Sequence, residues 1–224
     1  NKSIEACLNS NMKKDTSLNK VADTLNTNIY IKQIHRLIKK DEIRGVNMSG
    51  NPMKYYESLV SYLGSERPLH MKVTIGSSLS ENNQHDWYSL VKKEQEKLHG
   101  IPDVIVLELF FDKSNYSIDR SFRRIKRTID FDLNIKNERG ETEKVKYALD
   151  SAIVRNTEQH HFAAAITCNK KEFVFDGLSF SRLIPFKWKN KLNSNTNWSF
   201  DYKDDKKLFF NFTDGYQLLF YYRV

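Results

Sequence analysis

Apolar positions in the first part of the chain recur at helical spacing. Over residues 16–40, Leu18, Val21 and Leu25 form one stripe, and Tyr30, Ile34, Leu37 and Ile38 resume it. Asp15, Thr16 and Ser17 supply N-cap chemistry, and Lys39 and Lys40 suit the negative end of the helix dipole. Tyr56, Leu59, Val60 and Leu63 mark a second helix over 53–63. His70–Ile75 reads as a short strand. A helix from Asp86 to His99 follows, carrying Trp87, Leu90, Val91 and Leu98, and Gly100 and Pro102 end it.

After Pro102 the period changes from about 3.6 to 2. Asp103–Phe111 is a near-continuous apolar run of strand length, as a buried central strand requires. Ile129, Phe131, Leu133 and Ile135 alternate with Asp130, Asp132 and Asn134, the pattern of a half-buried strand. Val145–Arg155, His161–Cys168, Glu172–Asp176 and Tyr216–Arg223 are further strands, with turns at Arg139-Gly140 and Asn169–Lys171. The pattern predicts an α+β protein, a single domain over 1–224, mainly helical over 1–100 and antiparallel β over 101–224.

Alternation along His161–Cys168 divides its side chains between two faces. Phe162, Ala164, Ile166 and Cys168 share one face, expected to be the core side. His161, Ala163, Ala165 and Thr167 share the other, where small side chains beside one imidazole leave room for another chain. The following strand returns antiparallel, which brings Asp176 back near His161, 15 residues earlier. A carboxylate beside an imidazole selects its tautomer and stabilises its protonated form. The pair can serve a nucleophile or act as a purely structural hydrogen bond.

Several segments together resemble the ubiquitin-specific cysteine proteases. Pro102–Leu109 is similar to the family's strand after a proline, and Ile129–Ile135 to its next strand. Tyr147-Ala148-Leu149 resembles the Tyr-x-Leu strand that leads to the catalytic histidine. His161-Phe162-Ala163-Ala164 resembles the His-Tyr-x-Ala box, and Phe173-Val174-Phe175-Asp176-Gly177 the aromatic-x-Phe-Asp-Asp box. Gly215–Arg223 resembles the closing Ala-Tyr-x-Leu-x-Tyr-x-Arg strand. These pieces stand in the family's order, in a compact form like that of ubiquitin-hydrolase-like proteins of large DNA viruses.

The resemblance implies a papain-like fold, an N-terminal helical lobe facing a C-terminal antiparallel β-sheet lobe across a cleft. It implies hydrolysis of ubiquitin or ubiquitin-like C-terminal bonds, with His161 as base and Asp176 orienting it. Cys7, in Glu5-Ala6-Cys7-Leu8-Asn9-Ser10, is the candidate nucleophile. That box is one residue shorter than the family's. Because the chain opens on Asn1, a nucleophile upstream of residue 1 is the alternative. Phe162 stands for the usual Tyr and Gly177 for the second Asp. The alternative function is a catalytically inactive member of the fold, acting as a binding or virion assembly component.

Composition narrows the partners. No apolar run approaches the roughly 20 residues of a membrane helix, so no membrane association is expected. The 2 cysteines, Cys7 and Cys168, cannot build a disulfide framework and read as reduced thiols of an intracellular protein. No metal-ligand spacing links His35, His70, His85 and His99, and no glycine-rich phosphate loop is present, so no metal or cofactor is expected. The net charge of +8 suits acidic partners, nucleic acid or an anionic surface, and equally a role in solubility. The Arg120–Arg127 stretch reads as a solvated loop, and Trp188 and Trp198 as anchors of a long loop on the β core. Charge alone does not make nucleic acid an expected partner. Ubiquitin or a ubiquitin-like protein is the implied one, with a larger viral or cellular assembly as the other.

Overall fold

A computed structural model describes residues 70–75, 87–97, 100–109, 126–137, 139–156, 161–176, 183–200, 208–214 and 216–224, together with 52, 53 and 56. The chain divides into two compact units, Asn1–Glu66 and Arg67–Val224. In the first, Pro52, Met53 and Tyr56 are helical and Met53 is buried. The helix expected over 16–40 and most of that over 53–63 lie outside the described residues, as does Cys7.

The second unit is built on one sheet. Its elements are β1 (His70–Ile75), α1 (Trp87–Gln95), β2 (Val104–Leu109), β3 (Asp130–Lys136), β4 (Thr142–Arg155), β5 (Phe162–Cys168), β6 (Lys171–Phe175), β7 (Ile184–Pro185), β8 (Trp198–Ser199), β9 (Phe209–Phe210) and β10 (Gln217–Arg223). A 3-10 turn covers Trp188–Lys191. The strands run β1-β2-β10-β4-β5-β6-β7, with β3 also paired to β4, and β8 and β9 form a separate two-stranded sheet. All pairs are antiparallel except β1–β2.

This corrects the expected α+β papain-like architecture. The described residues are mostly antiparallel β-sheet, with one α-helix of 9 residues, and present no helical lobe. β1 hydrogen-bonds along β2, and α1, which packs on β1, is the crossover that two parallel neighbours require.

β4 is the spine of the sheet. Its 14 residues carry β10 along one edge and, on the other, β3 and β5 placed end to end. Buried positions alternate as Val145, Tyr147 and Leu149, then continue as Ala152, Val154 and Asn156. The phase slips by one residue at Asp150-Ser151, where the β4–β10 register shifts. A β-bulge there inserts one residue and keeps the whole apolar set on one face.

That face holds the core. Ile105, Leu107 and Leu109 of β2, Leu133 and Ile135 of β3, Leu219 and Tyr221 of β10, and Ala163 and Ala165 of β5 join one buried cluster. Trp188, Trp198, Phe200, Phe210 and Phe212 complete it. The facing expected for β5 is therefore corrected. Ala163 and Ala165 are buried, whereas Phe162, Ala164, Ile166 and Cys168 are half-buried. The space over the small side chains belongs to the chain's own aromatic layer, which Trp188 ties down by donating from its indole N–H to the Ile166 carbonyl at 3.2 Å. Trp188 and Trp198 anchor the 184–200 segment on the sheet, as the sequence suggested.

The end of the basic stretch is also not a solvated loop. Arg127 is buried. Its backbone N–H donates to Asn193 Oδ1 at 2.8 Å, Asn193 Nδ2 donates back to its carbonyl at 2.7 Å, and its Nε donates to Gln217 Oε1 at 3.0 Å. Burial lowers the guanidinium pKa to about 10, against a smaller opposing effect of Tyr221.

Candidate functional site

The β5–β6 hairpin turns through Asn169 and Lys170, both in the left-handed region with φ of 47° and 63°. Two such residues make the tight turn whose twist matches an antiparallel pair. The turn sets the register, Cys168 opposite Lys171 through to Ala164 opposite Phe175. One step further, Asp176 falls opposite Ala163, which makes His161 its diagonal neighbour. A diagonal separation of about 7–8 Å between backbones is within reach of an imidazole.

His161 Nε2 and Asp176 Oδ1 lie 2.6 Å apart. The Asp176 side chain is fully buried, while the imidazole is 22% exposed. A carboxylate accepts only, so Nε2 carries the proton and Nδ1 of the neutral ring is left with its lone pair. The pair therefore has an anchored end inside the protein and a proton-accepting atom on a ring that reaches the surface.

Two features hold the imidazole. The backbone N–H of His161 donates to Asn156 Oδ1 at 3.1 Å, and its carbonyl accepts from the Asn156 N–H at 2.9 Å. The ring tilts over Phe210, with centroids 6.3 Å apart. Phe210 is stacked on Trp198 at 5.0 Å, and Trp198 meets Phe200 edge-on at 5.4 Å. Asn156 also forms a backbone bridge to Phe210.

Cys168 lies elsewhere. It ends β5, seven residues past His161, about 23 Å along an extended strand at roughly 3.3 Å per residue. His160 and Gly177 are outside the described residues. Among the described residues no group of three or more His, Cys, Asp or Glu side chains could hold a metal ion.

Sequence reading missed Asn156, Phe210 and Trp198 as parts of this site. For Asn156 a signal was available, a polar residue two positions beyond Val154 on a face that is otherwise apolar. Phe210 and Trp198 carried none, because only the folded chain brings them to His161.

A second charged group lies toward the hairpin end. Lys189 receives opposing charge from Glu172 and Asp150, and its backbone N–H donates to Glu172 Oε2 at 2.8 Å. Burial raises the Asp150 pKa, partly offset by Lys189 and by a hydrogen bond from Ser151. Burial lowers the Lys189 pKa, with Glu172 and Asp150 opposing it.

Neither a family model nor a curated protein matches the chain.

Proposed function

We propose that the chain is a thiol-dependent hydrolase of ubiquitin or ubiquitin-like C-terminal peptide and isopeptide bonds. The observation that carries this reading is the 2.6 Å contact between His161 Nε2 and Asp176 Oδ1, with the ring partly exposed and its carboxylate wholly buried. The order of the motifs from Pro102 to Arg223 supplies the substrate class.

In this reading His161 Nδ1 takes the proton of a cysteine thiol. The thiolate attacks the carbonyl carbon of the scissile bond. Collapse of the tetrahedral adduct breaks the C–N bond, and the imidazolium returns its proton to the leaving amine. Water, deprotonated at the same Nδ1, then hydrolyses the thioester and restores the thiol. Asp176 keeps Nε2 protonated throughout, which leaves Nδ1 to take and return the proton. Cys7 is the candidate thiol.

Hydrolysis of a fluorogenic ubiquitin C-terminal amide tests the proposal. The parent chain releases the fluorophore, and His161→Ala reduces the rate about 100-fold or more, the usual scale of a general base. Equal rates in the two proteins contradict it.

A further inference from the structure

We propose that Asn156 is the positioning residue of the site, holding His161 at the one backbone position from which its ring reaches Asp176. The inference rests on the reading of His161 as a base but is tested without turnover.

Asn156 directly follows β4, is bridged to Phe210 and is 1% exposed. Its backbone N–H donates to the His161 carbonyl at 2.9 Å. In a regular ladder its own carbonyl would accept the His161 N–H in return. Here the side-chain Oδ1 takes that bond at 3.1 Å. The substitution of a side-chain for a main-chain acceptor gives the strand end its own geometry just where β5 begins. On its other side Asn156 is bridged to Phe210, the residue against which the imidazole ring tilts. One residue thus contacts the main chain of the base and the main chain of the ring's neighbour.

The rest of the amide does nothing comparable. Asn156 Nδ2 is buried and has no hydrogen-bond partner among the described residues. The side-chain hydrogen bond that Asn156 makes among the described residues is the one to His161. A contact of 2.6 Å between two side chains does not survive a backbone shift of about 1 Å, so the position of His161 Cα decides whether the pair exists.

The test is the imidazole signal of His161 in the full chain labelled with ¹⁵N-histidine, assigned by its loss in His161→Gln. In the parent, a downfield Nε2–H proton and the Nε2–H tautomer report the bond to Asp176. Asn156→Ala removes the acceptor, and loss of that proton with mixed tautomers is expected while circular dichroism stays that of the parent. Asn156→Asp keeps an acceptor oxygen in place and is expected to keep the signal. Persistence of the signal in Asn156→Ala overturns the proposal, as does its loss in Asn156→Asp with the fold intact. If Asn156→Ala does not fold, the Asp variant alone decides. Absence of the signal in the parent overturns the His161–Asp176 pair itself, a separate failure from the loss of positioning.

Discussion

Tyr221 pairs with Leu149, although its neighbour Phe220 pairs with Ser151. One residue of β4, Asp150, is therefore extra at this point. The slip lets Val145, Tyr147 and Leu149 share the core face with Ala152, Val154 and Asn156. Deleting Asp150 would restore a regular ladder and turn one half of β4 inside out, since a one-residue shift moves every side chain to the opposite face. The expected outcome is loss of cooperative thermal unfolding, whereas Asp150→Ala, which keeps the backbone count, remains folded.

Asp150 itself makes a separate prediction. Burial raises its folded pKa above the ordinary value of 3.8, so its ionised form is disfavoured in the folded state. The penalty is complete above the raised pKa and gone below the unfolded value. Asp150→Asn is expected to raise the thermal midpoint at pH 7, and the difference should vanish as the pH falls below about 3.8. A midpoint lowered by Asp150→Asn at pH 7 would show that Lys189 outweighs burial.

The aromatic layer should be sensitive in both directions. Trp198→Ala removes a side chain that meets Phe186, Phe200, Phe210 and Phe212, and is expected to cost about 3–5 kcal/mol in denaturant unfolding. Ala165→Leu pushes a larger group into the same layer from the sheet side and should cost about 1–3 kcal/mol.

The two hairpins give opposite predictions. Lys170 holds a φ of 63°, which costs a side chain roughly 1 kcal/mol, so Lys170→Gly is expected to stabilise by somewhat less than that after the entropic cost of glycine. Gly140 has φ 78°, and nothing lies within 4 Å of a Cβ built there. Gly140→Ala should therefore destabilise by about 1–2 kcal/mol through the backbone alone. Urea midpoints with unchanged slopes would check both.

Much of the sheet was legible because it is written locally. Alternation marked β3, the unbroken apolar run marked β2, and Asn169-Lys170 marked the turn that brings Asp176 back toward His161. What failed depended on distant residues. The facing of β5 is the reverse of that expected from its alternation, because a row of alanines looks like an open surface whereas Trp188 and Phe210 share their buried cluster. The burial of Arg127 depends on Asn193 and Gln217, far along the chain. The parallel β1–β2 pair was hidden because two strands separated by a helix carry no local mark of pairing. The papain-like expectation came from motif order, which constrains neighbouring strands but not the layers built on them.

The central claim is that His161 and Asp176 serve a thiol. The most direct measurement is covalent capture by ubiquitin carrying a C-terminal electrophile, with the modified residue located by mass spectrometry. The account predicts that Cys7 is labelled, that Cys168 is not, and that His161→Ala or Asp176→Ala sharply slows labelling. Labelling of neither cysteine, or labelling at an equal rate in the parent and His161→Ala chains, would contradict it.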